Sequence, residues 1–131
     1  MARVVHFEIT ADNPRRAAEF YSKAFGWKIE DGGAPFTYLL AETGPNDGMG
    51  INGAFMDRND TKQAVINTIS VDKWEDAAQA VRDAGGEVTM EKTEVPGIGW
   101  FAYCRDTEGN FFGILESLPM PGPGAGEAER G

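Results

Sequence analysis

His6 and Glu8 are the two residues whose types and spacing speak most directly of chemistry. An imidazole exchanges protons near neutral pH, and a nearby carboxylate orients it and raises its basicity. The segment Arg3 to Ile9 alternates, with Val5, Phe7 and Ile9 on one face and Val4, His6 and Glu8 on the other, the period of a strand between two different environments. Side chains two apart on a strand point the same way with backbones roughly 6 to 7 Å apart. Direct pairing of His6 and Glu8 is therefore allowed but not required, and the alternative is a pair that satisfies buried hydrogen bonds or sits at a subunit interface.

Other sets of chemical residues are missing. With one histidine and one cysteine in the chain, a Cys-His nucleophile pair would have to be His6 with Cys104, which the sequence does not bring together. Cys104 reads as a small apolar filler. Gly97-Ile98-Gly99 lacks the rest of a dinucleotide fingerprint, and there is no phosphate-binding loop ending in Gly-Lys-Ser/Thr. Aromatic residues are plentiful, among them Trp27, Tyr38, Trp100, Phe101 and Tyr103. Most belong to the core, and alternation sends some, Tyr103 included, into a cavity suited to an apolar or aromatic ligand. Trp100 has the best claim to a pocket mouth, because the loop Pro96 to Gly99 leads directly into its strand.

The elements that must hold these residues form a repeat. After strand one, Asp12 or Asn13 caps a helix that begins with Pro14 and runs to about Phe25, ending at Gly26. Its apolar residues Ala17, Phe20, Tyr21, Ala24 and Phe25 make one stripe. Strands follow at Trp27 to Glu30, Phe36 to Glu42 and Ile51 to Met56, separated by the turns 31–35 and 44–48. The second half repeats this order: a strand from Ala64 to Val71, a helix from about Trp74 to Ala84, then strands near Glu87 to Lys92, Trp100 to Cys104 and Asn110 to Glu116. An ungapped offset of 60 residues superposes Ile9 on Ile69, Asp12 on Asp72, Ala17-Ala18 on Ala77-Ala78, Gly26 on Gly86 and Gly53 on Gly113. The expected fold is α+β, two βαβββ repeats whose curved mixed sheet surrounds a cavity. Residues 1–117 make one domain, with halves at about 3–57 and 63–116. The Pro- and Gly-rich stretch 118–131 reads as a flexible tail.

Charge narrows the partners. Asp and Glu outnumber Lys and Arg by 21 to 12, a net charge of -9, which repels nucleic acid and anionic membranes. No apolar run approaches the roughly 20 residues of a membrane span, the start has no leader pattern, and a lone cysteine agrees with a reducing compartment. A cytoplasmic protein is expected.

The chain resembles the glyoxalase/bleomycin-resistance/dioxygenase (vicinal oxygen chelate) superfamily over residues 3 to 116, in particular its short bacterial members related to lactoylglutathione lyase. The resemblance is carried by Val5-His6-Phe7-Glu8-Ile9, Ala17-Ala18-Glu19-Phe20-Tyr21, Phe25-Gly26-Trp27, Ile51-Asn52-Gly53, Val95 to Trp100 and Asp106-Thr107-Glu108-Gly109-Asn110. It implies a divalent metal held by His in the first strand and Glu in the last strand of each half. His6 matches. Its repeat partner is Ile66, and the acid positions fall on Gly53 and Gly113, with Asn52 or Phe112 the neighbours if the register differs by one. Glu8, or Asn67 after such a shift, would be the only replacement donors, so no metal or other cofactor is expected. The expected site is His6 and Glu8 as acid/base residues, with Asn52, Asn67, Trp100 and Tyr103 joining them around a ligand. The function read from the sequence is metal-independent binding of a small molecule by a homodimer. The alternatives are a lyase, isomerase or dioxygenase working through His6 with Glu8 or a degenerate metal site, and a regulatory partner protein.

Overall fold

The computed structural model describes residues 2–33, 36–58 and 62–119. Ala34 and Pro35 of the first expected turn, and residues 120–131 of the expected tail, lie outside the described residues. The described residues form two helices and nine strands, in the order β1 (Arg3–Ala11), α1 (Pro14–Phe25), β2 (Lys28–Asp31), β3 (Tyr38–Glu42), β4 (Gly53–Asp57), β5 (Val65–Ser70), α2 (Trp74–Asp83), β6 (Glu87–Val88), β7 (Thr93–Val95), β8 (Gly99–Arg105) and β9 (Phe111–Ser117). They form one mixed sheet in the order β2-β3-β4-β1-β5-β9-β8-β6, with β7 added on β8. β1 runs parallel to β4 and β5 parallel to β9. The antiparallel pair β1–β5 joins the halves and sets His6 opposite Thr68 and Glu8 opposite Ile66, after a register break between Val4 and His6. The fold class expected from the repeat is therefore the one observed.

Local chemistry explains the element ends. The Asn13 side chain accepts from the Arg16 N–H at 3.1 Å, and Gly26 closes α1 in the left-handed conformation at φ 77°. α2 has no side-chain cap of its own. Instead Glu116 reaches from β9 and accepts from the Trp74 N–H at 2.7 Å, a carboxylate at the positive end of the helix.

Each helix covers its own half. Under α1 lie Ala18, Leu39, Ala41 and Phe55, flanked by Ile9, Tyr21 and Trp27. Under α2 lie Trp74, Ala78, Ala102, Cys104 and Ile114, flanked by Val71, Trp100 and Phe112. The strand residues among them mark the outer face of β1, β3, β4, β8 and β9, so the alternating residues of those strands line the inner face. No helix among the described residues is long and apolar enough to cross a membrane.

One element differs from expectation. The strand expected over Glu87 to Lys92 shrinks to Glu87–Val88, and Thr93–Val95 forms a separate strand hairpinned onto β8. The Ile98 N–H bonds the Val95 carbonyl at 2.9 Å across Pro96 and Gly97, with Gly97 at φ 78°. Pro and a left-handed Gly at the two central positions give the type II turn, so Val95-Pro96-Gly97-Ile98 is a hairpin corner rather than a loop entering a pocket. Leu118, the first residue of the expected tail, bonds the Ile98 carbonyl at 2.9 Å.

Candidate functional site

Alternation puts His6, Glu8 and Thr10 of β1 on the inner face, beside Ala54 of β4 and Ile66 and Thr68 of β5. Glu8 is 5% exposed, flanked by Ala54 at 0% and Ile66 at 3%. A carboxylate in such surroundings needs hydrogen-bond donors. It receives two. Tyr38 of β3 donates to Oε2 at 2.6 Å, and Tyr103 of β8 donates to Oε1 at 2.7 Å. Tyr38 comes from two strands to one side and Tyr103 from three strands to the other. In a flat sheet the latter would be about 14 Å distant. Their meeting on one carboxylate shows how strongly the sheet curls, and it ties the two halves together from inside.

His6 joins this cluster through Tyr38, with Nε2 and the phenol oxygen 2.9 Å apart. Tyr38 has one proton and gives it to Glu8, so the imidazole proton sits on Nε2 and is donated to the Tyr38 oxygen. Nδ1 is then the acceptor nitrogen, and it has no hydrogen-bond partner among the described residues. Burial pushes the His6 pKa below its ordinary 6.5, more than the Glu8 charge raises it. The imidazole is neutral at neutral pH. Burial and the adjacent carboxylate drive both tyrosine hydroxyls far above their usual value, so they remain donors.

Beside His6 lies a cleft of about 540 Å³ between the start of β1 and the loop 43–52, bounded by Val4, Val5, His6, Met49, Ile51 and Asn52 among others. This volume suits a small organic molecule. Asn52 holds the loop in place, its Oδ1 accepting from the Thr43 N–H at 2.9 Å. His6 alone belongs to both the cleft and the carboxylate cluster.

The other expected site residues go elsewhere. Asn67 pairs with Phe7 and Phe112, on the sheet face away from Glu8. Trp100 packs with the α2 cluster, and the Lys92 ammonium sits 4.7 Å from its ring centroid. Neither can reach the cleft. Cys104, likewise on the outer face, is fully buried with its thiol pushed up to about 11 by burial, an inert core residue. Tyr38, which sequence reasoning left among the general aromatics, is the link between His6 and Glu8.

A divalent ion would need about three protein donors. Sheet register changes where the family acids would fall. Gly53 pairs with Phe7 on the outer face, and Ala54 takes the inner position beside Glu8. Gly113 pairs with Thr68 and Tyr103 on the inner face, where an added Cβ would lie 2.5 Å from the Phe101 ring. The inner positions of β4 are Ala54 and Met56, those of β9 Phe111, Gly113, Leu115 and Ser117, and none bears a carboxylate. Both Glu8 oxygens are already taken. Among the described residues no three His, Cys, Asp or Glu side chains gather into a possible metal group. The residues present do not fit the family's metal.

Comparisons with known proteins agree on the architecture. Residues 3–114 match the family model described as the Glyoxalase/Bleomycin resistance protein/Dioxygenase superfamily. A glyoxylase-like domain-containing protein of Didymella fabae is 31% identical over 112 residues, covering 82% of this chain and 88% of its own. Among solved structures, methylmalonyl-CoA epimerase from Mycobacterium tuberculosis superposes with a TM-score of 0.67 at 13% identity, covering 88% of each chain. A hypothetical protein from Bacillus halodurans gives 0.69 at 12% identity, covering 93% of this chain and 99% of its own. At such identities the two structures speak for the fold alone.

Proposed function

The chain belongs to the glyoxalase/bleomycin resistance protein/dioxygenase superfamily, and from that membership we propose that it binds a small, largely apolar molecule in the cleft beside His6, without a metal. The observation that carries this reading is the saturation of Glu8 by Tyr38 and Tyr103. The Glu8 carboxylate, two residues from His6 on the same face, is engaged in holding the fold and in orienting His6 through Tyr38. What the cleft offers a ligand is a largely apolar wall, the polar edge of Asn52, the Nδ1 lone pair of His6 and the side chain of Arg3. Such an arrangement binds by shape and one or two directed hydrogen bonds.

A thermal-shift screen of aromatic and amphipathic small molecules on metal-stripped protein tests the reading. A ligand at a hundred times its Kd stabilises by about 2.7 kcal/mol, raising Tm by roughly 5 to 10 °C in a domain of this size. That shift should vanish in Ile51→Glu, which places a charge in the cleft wall. Stabilisation that requires added metal, or that survives Ile51→Glu unchanged, would overturn it.

A second reading rests on the continuous chain from His6 through Tyr38 to Glu8. A base at Nδ1 that took a proton from a bound ligand would become an imidazolium stabilised by the Glu8 charge, relayed through Tyr38. This is the lyase or isomerase alternative. It requires His6, so loss of a detected turnover in His6→Ala with ligand binding retained would favour it.

A further inference from the structure

The cleft differs in charge from the rest of the molecule. The chain carries 21 acidic residues, yet the described residues lining the cleft include neither Asp nor Glu, and Arg3 is the one with a fixed charge. The surface cations of the described ion pairs, Arg15, Lys23, Arg58 and Lys92, each sit against a carboxylate. Arg3 has no such partner among the described residues, as is true also of Arg16, Lys28 and Arg82; what sets it apart is its place on the cleft wall. Around it are apolar side chains with unusual exposure, Val4 at 43%, Val5 at 41% and Met49 at 103%. A guanidinium is a rigid fork of donors that matches a carboxylate through two parallel hydrogen bonds. The net charge of the whole molecule repels anions at long range, but screening limits that repulsion to about 8 Å at physiological salt. Within this distance the groups at the cleft decide, Arg3 on its wall against the Glu8 carboxylate behind His6, whose two oxygens already accept from Tyr38 and Tyr103.

We propose that the cleft takes an amphipathic monoanion, a carboxylate on an apolar body, with Arg3 holding the carboxylate and Val4, Val5, Met49 and Ile51 covering the body. A single fork suits one carboxylate, whereas a phosphate dianion would call for further cations. The inference rests on the cleft reading above and adds the ligand's charge.

Matched acid and amide pairs test it, for example naphthyl-2-acetate against naphthyl-2-acetamide and octanoate against octanamide, titrated into the full-length ¹⁵N-labelled chain. The acids should bind at least about tenfold more tightly than their amides, the scale of one charge-assisted hydrogen-bond pair. In Arg3→Gln the ratio should fall to about one while amide affinity is kept. Arg3 is exposed, so the variant keeps the fold. Amides that bind as tightly as acids while the loop 43–52 resonances move would overturn the anion assignment and leave the cleft reading standing. An unchanged ratio in Arg3→Gln would overturn the role of Arg3. If no pair moves those resonances, the cleft reading falls and takes this inference with it.

Discussion

Glu8→Ala should lower the unfolding free energy by about 3 kcal/mol, because it takes the acceptor from two part-buried phenol hydroxyls, of which only Tyr38 has another within reach, His6 Nε2 at 2.9 Å after a change of tautomer. For a domain whose total stability is about 5 to 15 kcal/mol this is a large share. The loss also cuts the inner tie between the halves, since Glu8 joins β3 to β8 across most of the chain. Tyr38→Phe and Tyr103→Phe each remove one donor and leave the carboxylate one partner, so each should cost about 1 to 3 kcal/mol. The two losses should not add, because the second removes the last donor from a buried charge. Glu8→Gln should fall between, its amide accepting from one tyrosine but not both. Denaturant midpoints of the four variants read this series. A Glu8→Ala variant within 1 kcal/mol of the parent would mean that the cluster contributes nothing, by the usual scale for surface changes.

Gly53→Ala should cost about 3 kcal/mol and lower Tm by roughly 10 °C. The new methyl would sit 2.5 Å from the Phe7 carbonyl oxygen as well as against the Phe7 ring. The ring can turn aside. The carbonyl belongs to the β1–β4 ladder and cannot. The nearest atoms to the new methyl of Gly113→Ala are side-chain atoms, the Phe101 ring at 2.5 Å and the Thr68 hydroxyl at 3.2 Å, so its smaller cost should be relieved by Phe101→Leu, whereas Phe7→Leu should not rescue Gly53→Ala. Calorimetric scans of the two pairs decide this, and equal rescue at both sites would contradict the packing described. The comparison also explains why restoring a family acid at either glycine would not restore a metal site. One position faces outward, and the other lies beneath an aromatic ring.

Much of this was legible in the residues. The helix signals at Asn13, Pro14 and Gly26, the alternation of β1 and the order of elements in each half gave the architecture. The offset of 60 residues holds for β1 against β5, where Phe7 and Asn67 both face outward. It fails by one in the last strand of each half, because Gly53 faces outward and Gly113 inward. No periodicity within one strand reveals such a slip, which appears only when the strands pair. Trp100 and Tyr103 are three residues apart on one strand, so alternation forbids both from lying on the inner face. Which of them does so is set by the Ala102 and Cys104 contacts with α2. The role of Tyr38 follows from curvature, which brings together side chains that sequence distance and sheet order keep apart.

The central claim is that Glu8 is committed to two tyrosines and leaves His6 neutral, oriented and without a metal. His6 is the only histidine in the chain, so a long-range ¹H–¹⁵N spectrum of its imidazole, followed through pH and with stoichiometric Zn²⁺, reads that claim directly. A proton on Nε2 at neutral pH, a pKa below 6.5 and no response to the metal are expected. Because folding depresses this pKa, the linked stability is complete above 6.5 and is lost as pH falls through the folded value. A proton on Nδ1, a pKa above 6.5, or resonances that shift in proportion to added Zn²⁺ would contradict it.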